Sequence, residues 1–354
     1  MRFSSTIIAA SALFAALAGC GQPLRVLTRS SVDIEHPLEA QITAKVAPAS
    51  DEGPVMPIVV AGPRDNCSAH IALIEVDGLL VNSNIAGPYV SGDNPVAVFH
   101  ERLSAAERDP RVSGVVLRIN SPGGGVVASQ MMRYELDTFR QRTGVPVVAC
   151  LMDVGAGGAY YLATSADTIY AQPGTVTGGI GVIFNAYSLQ DTMAQLNIIG
   201  QAVKAGDNID LGSPVRGLNE NSRKILQQMA NDYHQQFKDT VLGARPNVKP
   251  ADNTIFDGRV LTAKQALDSG LIDKIGSLDE AIGATCRMSQ QRQTAVVMYE
   301  RKNHPAYSMY STANHLPLQA AIPLPSIPGL DRAHMPAFLY MWQPEPTLER
   351  LGGI

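Results

Sequence analysis

The chain carries little charge, few cysteines and a single tryptophan, and each shortage narrows what it can be. Charged side chains make up 17% of its 354 residues, against roughly 25% in an average soluble protein. The 28 basic and 32 acidic groups leave a net charge of −4 with no run of five basic residues, so nucleic acid is not an expected partner. Four cysteines in this length are too few for a disulfide scaffold. None stands in C-x-x-C spacing and no H-E-x-x-H occurs, which argues against the usual zinc sites. No cofactor is expected. Disorder is excluded too: hydrophobic residues reach 45%, and the 31 glycines and 23 prolines follow no collagen period.

What is present begins with an address. Residues 1–19 hold one early positive charge, Arg2, and an uncharged apolar stretch over 7–18. That stretch is too short and too rich in small residues for a spanning helix. It ends in Leu17-Ala18-Gly19-Cys20, which resembles the bacterial lipoprotein box. The resemblance implies a signal peptide over 1–19, cleavage before Cys20 and acylation of its thiol; a plain secretory signal with a chance cysteine is the alternative. Several acyl chains on one terminus anchor stably where one would be marginal. The expected location is therefore extracytoplasmic, on a bacterial membrane through a lipid anchor. Gly21 in place of Asp after the anchor favours, by analogy, the outer membrane where two are present. Residues 20–66 read as a Pro- and Ala-rich spacer with one short strand at 56–60.

Strand and helix signals then alternate. Short apolar runs predict strands at 71–76, 114–119, 145–152 and 168–171. Asp93 or Asn94 caps a helix with Pro95 in its first turn and an apolar face of Val96, Phe99, Leu103 and Ala106. Further helices are predicted over 126–142, 158–167 and 222–242, the last with Ile225, Met229, Tyr233, Phe237 and Val241 in one row. This alternation predicts an α/β fold with a largely parallel sheet flanked by helices. Residues 291–354 are expected to add a last strand at 294–300 and a Pro-rich tail. In that tail, the aromatic cluster over 338–342 has no partner that the sequence can name.

Two loops carry the most specific signal. Asn120-Ser121-Pro122-Gly123-Gly124-Gly125 follows a strand and precedes a helix, and Asp153 to Tyr161, centred on Gly157-Gly158, repeats that geometry one unit later. Glycines there let backbone N–H groups face a cleft, as an oxyanion site requires; close-packed turns would look the same. In this order, with Pro173 to Val182, Lys204-Ala205-Gly206 before Gly212-Ser213-Pro214, and Asp257 to Asp273, the chain resembles the signal peptide peptidase A (protease IV) family of serine peptidases, within the Clp-protease and crotonase-like superfamily. The resemblance implies repeated ββα units in one domain over 67–290. It also implies a cleft that binds extended peptides at Gly123, Gly124 and Gly158, and assembly into a ring, as a homo-oligomer or mixed with a related subunit.

The same resemblance implies a Ser–Lys dyad, shared between neighbouring domains, and here the chain departs from the family. Aligned on Tyr160-Tyr161, the serine position is Gly157, the lysine position is Ile209 and an accessory serine position is Gly179. Glycine cannot form an acyl-enzyme and isoleucine cannot take a proton. Ser121, Thr164 and Ser165 are weak substitutes, and Lys204 matches a family lysine without a catalytic role. The histidines (His36, His70, His100, His234, His304, His315 and His334) avoid the glycine loops in sequence. The expectation leans away from an enzyme, toward a pseudopeptidase that binds peptides or unfolded segments, or assembles with envelope partners. Two alternatives stay open: a serine-type endopeptidase cleaving membrane-derived or signal peptides through displaced residues or a shared dyad, and a crotonase-like acyl-thioester enzyme. Cys67 and Cys286 flank the domain and form a possible disulfide, whereas Cys150 reads as a small core residue.

Overall fold

The computed structural model describes residues 53–63, 67–84, 93–248, 254–291, 293–302, 306–312 and 338–343. The expected signal segment, Cys20, most of the expected spacer, most of the Pro-rich tail and His36, His304, His315 and His334 lie outside them.

Among the described residues, ten strands form one sheet. Its main path runs β1 (Met56–Ala61), β9 (Thr294–Glu300), β2 (Ala69–Leu80), β3 (Val112–Gly125), β4 (Val147–Ala156), β5 (Thr168–Ala171), β8 (Lys274–Ile275). Every neighbouring pair on this path is parallel except the edge strand β1, which runs antiparallel to β9. The remaining strands gather at the upper ends of β3 and β4. There β6 (Val176–Gly178) extends β4 in parallel, β7 (Val260–Thr262) lies antiparallel to β6, and β10 (Leu339–Met341) lies antiparallel to β3. The α/β class and the parallel sheet are as the sequence predicts. The sheet also reaches past the expected domain limits of 67–290, because β1 lies in the expected spacer and β9 and β10 lie in the expected C-terminal part.

Central strands read as unbroken apolar runs because both sheet faces are covered. Side chains alternate along β2: Ile71 and Leu73 join one core cluster and Ala72 and Ile74 the other. The first cluster lies under α7 (Leu278–Met288), which contributes Leu278, Ala281 and Ile282. The second lies under α1 (Pro95–Arg108), α2 (Val126–Thr143), α3 (Gly158–Ala163) and the C-terminal half of α5 (Glu220–Ala244). Asn94 caps α1, its side chain accepting from the Val96 N–H at 3.0 Å, with Pro95 next in line. Cys150 is fully buried, and burial pushes its thiol up to about 12.

Three boundaries differ from expectation. The Asn120–Gly125 stretch is not a free loop but the end of β3, held by Leu79 and Leu80 of β2 on one side. The helix expected over 158–167 stops at Ala163. Of the expected row on α5, Phe237 and Val241 are buried whereas Met229 is 37% exposed, because the helix's N-terminal half runs past the sheet. That half adjoins a stretch that includes α4 (Gln190–Gln195), which buries no residue. Leu196, Ile198, Ile199 and Ile209 there are all more than half exposed. Among the described residues, no helix is long and apolar enough to cross a membrane.

A buried charge network ties the layers together. Arg102 of α1 forks onto both carboxylate oxygens of Glu300 at 2.8 and 2.7 Å, and donates to the main-chain oxygens of Glu75 and Tyr299. Arg118 of β3 meets the Glu75 carboxylate at 2.5 Å and main-chain oxygens of Met309 and Ser311. All four side chains are 5% exposed or less. Removing one partner strands a charge in the interior, so Arg102→Leu is expected to cost about 3–5 kcal/mol. Adding Glu300→Leu should restore part of the loss. Denaturant unfolding of the three variants checks this, and a single-variant loss below about 1 kcal/mol, the range of an exposed pair, would count against it.

Candidate peptide-binding cleft

The site lies where the upper ends of β3 and β4 diverge. Strand β4 ends at Ala156, the chain turns at Gly157, and α3 starts at Gly158. Gly157 has φ 54° and ψ −124°, a tight strand-to-helix elbow of the sort that presents the nucleophile in α/β-hydrolases. An L side chain at this φ is strained, and glycine is not. The Gly157 N–H donates to the Gly178 oxygen at 2.9 Å, and a Cβ on Gly179 would lie 3.3 Å from the Gly157 nitrogen. The serine position and the accessory position of the resemblance are thus side by side, and neither carries a functional group.

Ile209 stands in a different environment. The elbow is buried, whereas Ile209 is 74% exposed. A lysine at 209 in this single chain would be solvated, without the desolvation that lowers a lysine pKa. Lys204 is occupied by Asp210 and the Asp207 main-chain oxygen, both at 2.7 Å. Its ammonium and the Arg216 guanidinium hold the Asp210 carboxyl down at about 2. The substitute nucleophiles are engaged as well. The Ser121 hydroxyl accepts from the Gly123 N–H at 3.1 Å, Ser165 donates to Asp137, and Thr164 donates to the Tyr161 oxygen.

The cleft is filled, and its occupant is the aromatic cluster of the tail. Strand β10 lies antiparallel on the glycine end of β3, with Leu339 opposite Gly125, Tyr340 opposite Gly124 and Met341 opposite Gly123. The Trp342 N–H donates to the Pro122 oxygen and the Val126 N–H to the Phe338 oxygen, at 2.9 and 3.2 Å. On its other edge, Leu339 and Ile183 exchange both backbone bonds, at 2.9 and 3.0 Å. The segment is therefore clamped between strand β3 and an isolated bridge at Ile183.

Its side chains alternate. Leu339 and Met341 pack with Leu79, Val81 and Ile183. Tyr340 points the opposite way and is fully buried, with its ring centroid 4.6 Å from Phe237 and 5.5 Å from Tyr161. Its hydroxyl donates to the Tyr233 oxygen at 2.8 Å. Burial, with Tyr161 and Tyr233 close by, raises this phenol above its usual range, so it stays a neutral donor.

The glycines now divide by what they meet. A Cβ on Gly123 would come within 2.1 Å of the Tyr340 oxygen, and one on Gly157 within 2.5 Å of that oxygen and 2.8 Å of its carbon. Those two face the strand. A Cβ on Gly124 would strike the Leu80 oxygen at 2.2 Å, and one on Gly158 the Ser129 hydroxyl at 2.0 Å. Packing against β2 therefore accounts for glycine at 124, whereas a Cβ at 158 would meet both Ser129 and, at 3.3 Å, the Tyr340 oxygen.

Sequence reasoning missed His234. Distant from the loops in sequence, it is brought beside one, its Nε2 donating to the Ile180 oxygen at 3.1 Å. Burial first, then the charge of Lys238, lowers its pKa, so it serves as a neutral backbone clip. Cys67 and Cys286 are free thiols rather than a bridge. Cys67 Sγ lies 3.5 Å from Nε2 of His70, whose Nδ1 is 2.7 Å from Asp109, and Cys286 Sγ lies 3.2 Å from the Thr294 hydroxyl.

The sequence profile of Peptidase family S49 matches residues 139–292, which contain the Gly157 elbow. "Putative protease slr0021" of Synechocystis sp. is 32% identical over 197 residues, covering 56% of this chain and 69% of that protein. "Putative signal peptide peptidase SppA" of Enterococcus faecium is 26% identical over 230 residues, 65% of this chain and 67% of its own length. "Protease 4" of Salmonella typhi is 28% identical over 230 residues, which is 65% of this chain and 36% of that protein, so the chain spans about a third of the length of that relative. On these matches, the chain belongs to peptidase family S49.

Proposed function

We propose that this chain is an extracytoplasmic lipoprotein, anchored through Cys20, whose S49 domain binds extended peptides and does not hydrolyse them. The observation that carries this reading is a clamped backbone strand beside a bare elbow. A peptide strand is clamped between Gly123–Gly125 and Ile183, while the residue beneath its carbonyl, Gly157, has no atom that could attack it. Strand addition of this kind draws affinity from main-chain hydrogen bonds and selectivity from alternate side-chain pockets. Both survive the loss of a nucleophile.

Assembly with further copies of this chain, or with a related envelope subunit in a mixed ring, belongs to the same reading. The stretch that carries Ile209, Leu196 and Ile199 exposes large apolar side chains, which a neighbouring subunit would cover. A dyad shared between neighbouring domains also fits a lysine position that stands exposed on its own subunit.

Three outcomes follow. Detergent-solubilised full-length protein should not hydrolyse fluorogenic peptides above the uncatalysed rate, and an acyl or phosphonyl adduct on any named residue would overturn the inactive reading. Gly157→Ser should lower stability by about 1–3 kcal/mol, the order of one strained backbone conformation, and loosen β10 because its Cβ meets the Tyr340 carbonyl; a thermal melt identical to wild type would contradict this. The acyl anchor is checked by the mass of the N-terminal peptide from membranes, and Cys20→Ser should release the chain from the membrane fraction. Membrane retention of that variant with an unmodified Cys20 peptide in the wild type would remove the anchor from the proposal.

A further inference from the structure

The position of β10 does more than fill the cleft, because it identifies what the cleft selects. Along the strand, Leu339 and Met341 lie on one side against aliphatic neighbours, a surface that any apolar side chain could meet. The pocket on the opposite side is of another kind. It closes completely around one phenol, with Phe237 and Tyr161 against the ring and the Tyr233 main-chain oxygen at the hydroxyl. A fixed acceptor at its floor discriminates tyrosine from phenylalanine, which would leave that oxygen without its donor. The Tyr340–Met341 peptide bond also stands directly over Gly157, since a Cβ there would lie 2.5 Å from the Tyr340 oxygen and 3.1 Å from the Met341 Cα. The pocket therefore reads the residue whose carbonyl faces the elbow, the position that fixes the register of the whole strand.

We propose that the cleft selects extended apolar peptides bearing a tyrosine at this position, and that residues 338–343 are the resident ligand with which such peptides compete. The proposal rests on the peptide-binding reading above and adds its ligand class and its internal competitor. An incoming peptide must displace β10 and return its tyrosine to the same three neighbours. The competition is between like and like: the same backbone bonds to Pro122, Val126 and Ile183, the same phenol, the same aliphatic side. The resident strand has the advantage of being tethered, so free peptides succeed only at high local concentration or when several positions match.

The unmodified full-length chain supplies its own reporter. Trp342 is its single tryptophan, and its backbone N–H is one of the bonds that seat β10. Two tryptophan-free hexapeptides are added, Phe-Leu-Tyr-Met-Ala-Gln and its Phe-Leu-Ala-Met-Ala-Gln counterpart, with Phe-Leu-Phe-Met-Ala-Gln as a third. The tyrosine peptide is expected to red-shift Trp342 emission. The alanine peptide should need about a hundredfold more for the same shift and the phenylalanine peptide about fivefold more. In a Tyr340→Ala chain, with a weakened resident strand, the tyrosine peptide should act at about tenfold or more lower concentration. Equal potency of the tyrosine and alanine peptides would overturn the proposal. So would an unmoved Trp342 in both chains up to about 1 mM peptide. Mass spectrometry of the recovered peptides separates this from the functional reading. Cleavage after tyrosine would refute the inactive cleft while upholding the pocket, and intact peptides with no preference would refute the pocket alone.

Discussion

The cleft depends on the antiparallel pairing of Leu339–Met341 with Gly123–Gly125. Without it, the upper end of β3 would expose backbone groups of Pro122, Gly124 and Val126 at an unpaired edge, which invites pairing with other chains. With it, those groups are satisfied, Tyr340 closes the aromatic cluster of Tyr161 and Phe237, and Ile183 gains a strand to pair with. The strand is also what makes the cleft recognisable. An empty groove between glycine loops would indicate only space, whereas a clamped peptide defines direction, register and which side chain enters which pocket.

The rest of the fold serves to hold the two clamping edges at the right separation. β3 and β4 pair along their lower halves and part near the top, where Ser121 meets Gly155 after a shift of register. Above that shift each finds a different partner, β10 for one and β6 for the other. The Gly157–Gly178 backbone bond and the His234 clip on Ile180 hold the 176–183 segment against the elbow. Farther down, the Glu75, Arg102, Arg118 and Glu300 network fixes β2, β3, β9 and α1 to one another. A buried network of this type contributes little net stability against an apolar replacement, but once present it tolerates only one arrangement of its partners.

Much of this was legible in the sequence, and what was hidden has a common cause. Local signals were sufficient for β2, β5, α1 and α2, where apolar period, cap and strand length agree with tertiary demand. The strand-to-helix elbow at Gly157 was legible through motif order. The signals that failed were those that depend on a distant partner. Asn120–Gly125 reads as a loop because glycines and proline disfavour a strand locally, and it becomes one because Leu80 and Tyr340 approach from either side. Phe338–Trp342 has no local period to declare its role, and its partners are more than a hundred residues earlier in the chain. His234 sits on a helix far from the glycine loops and reaches one only through the crossing of α5. Met229 follows the apolar row of that helix, yet nothing in the row says where the sheet ends.

Glycine at 157 leaves the elbow without a side chain and leaves room for β10 directly against it. In a peptidase the elbow carries a side chain, and a peptide carbonyl must stop at attacking distance from its oxygen. Here the Tyr340 carbonyl oxygen sits 2.5 Å from where a Cβ would stand, a separation that any L residue would forbid. The strand seats as deeply as it does because the elbow carries no side chain. A relative with serine at the elbow would have to hold the same peptide farther out, weakening the grip of Pro122 and Ile183 on its two edges. On the proposed non-hydrolytic reading, the bare elbow and the close seat of the strand are one geometric feature, and a binding role would gain from it.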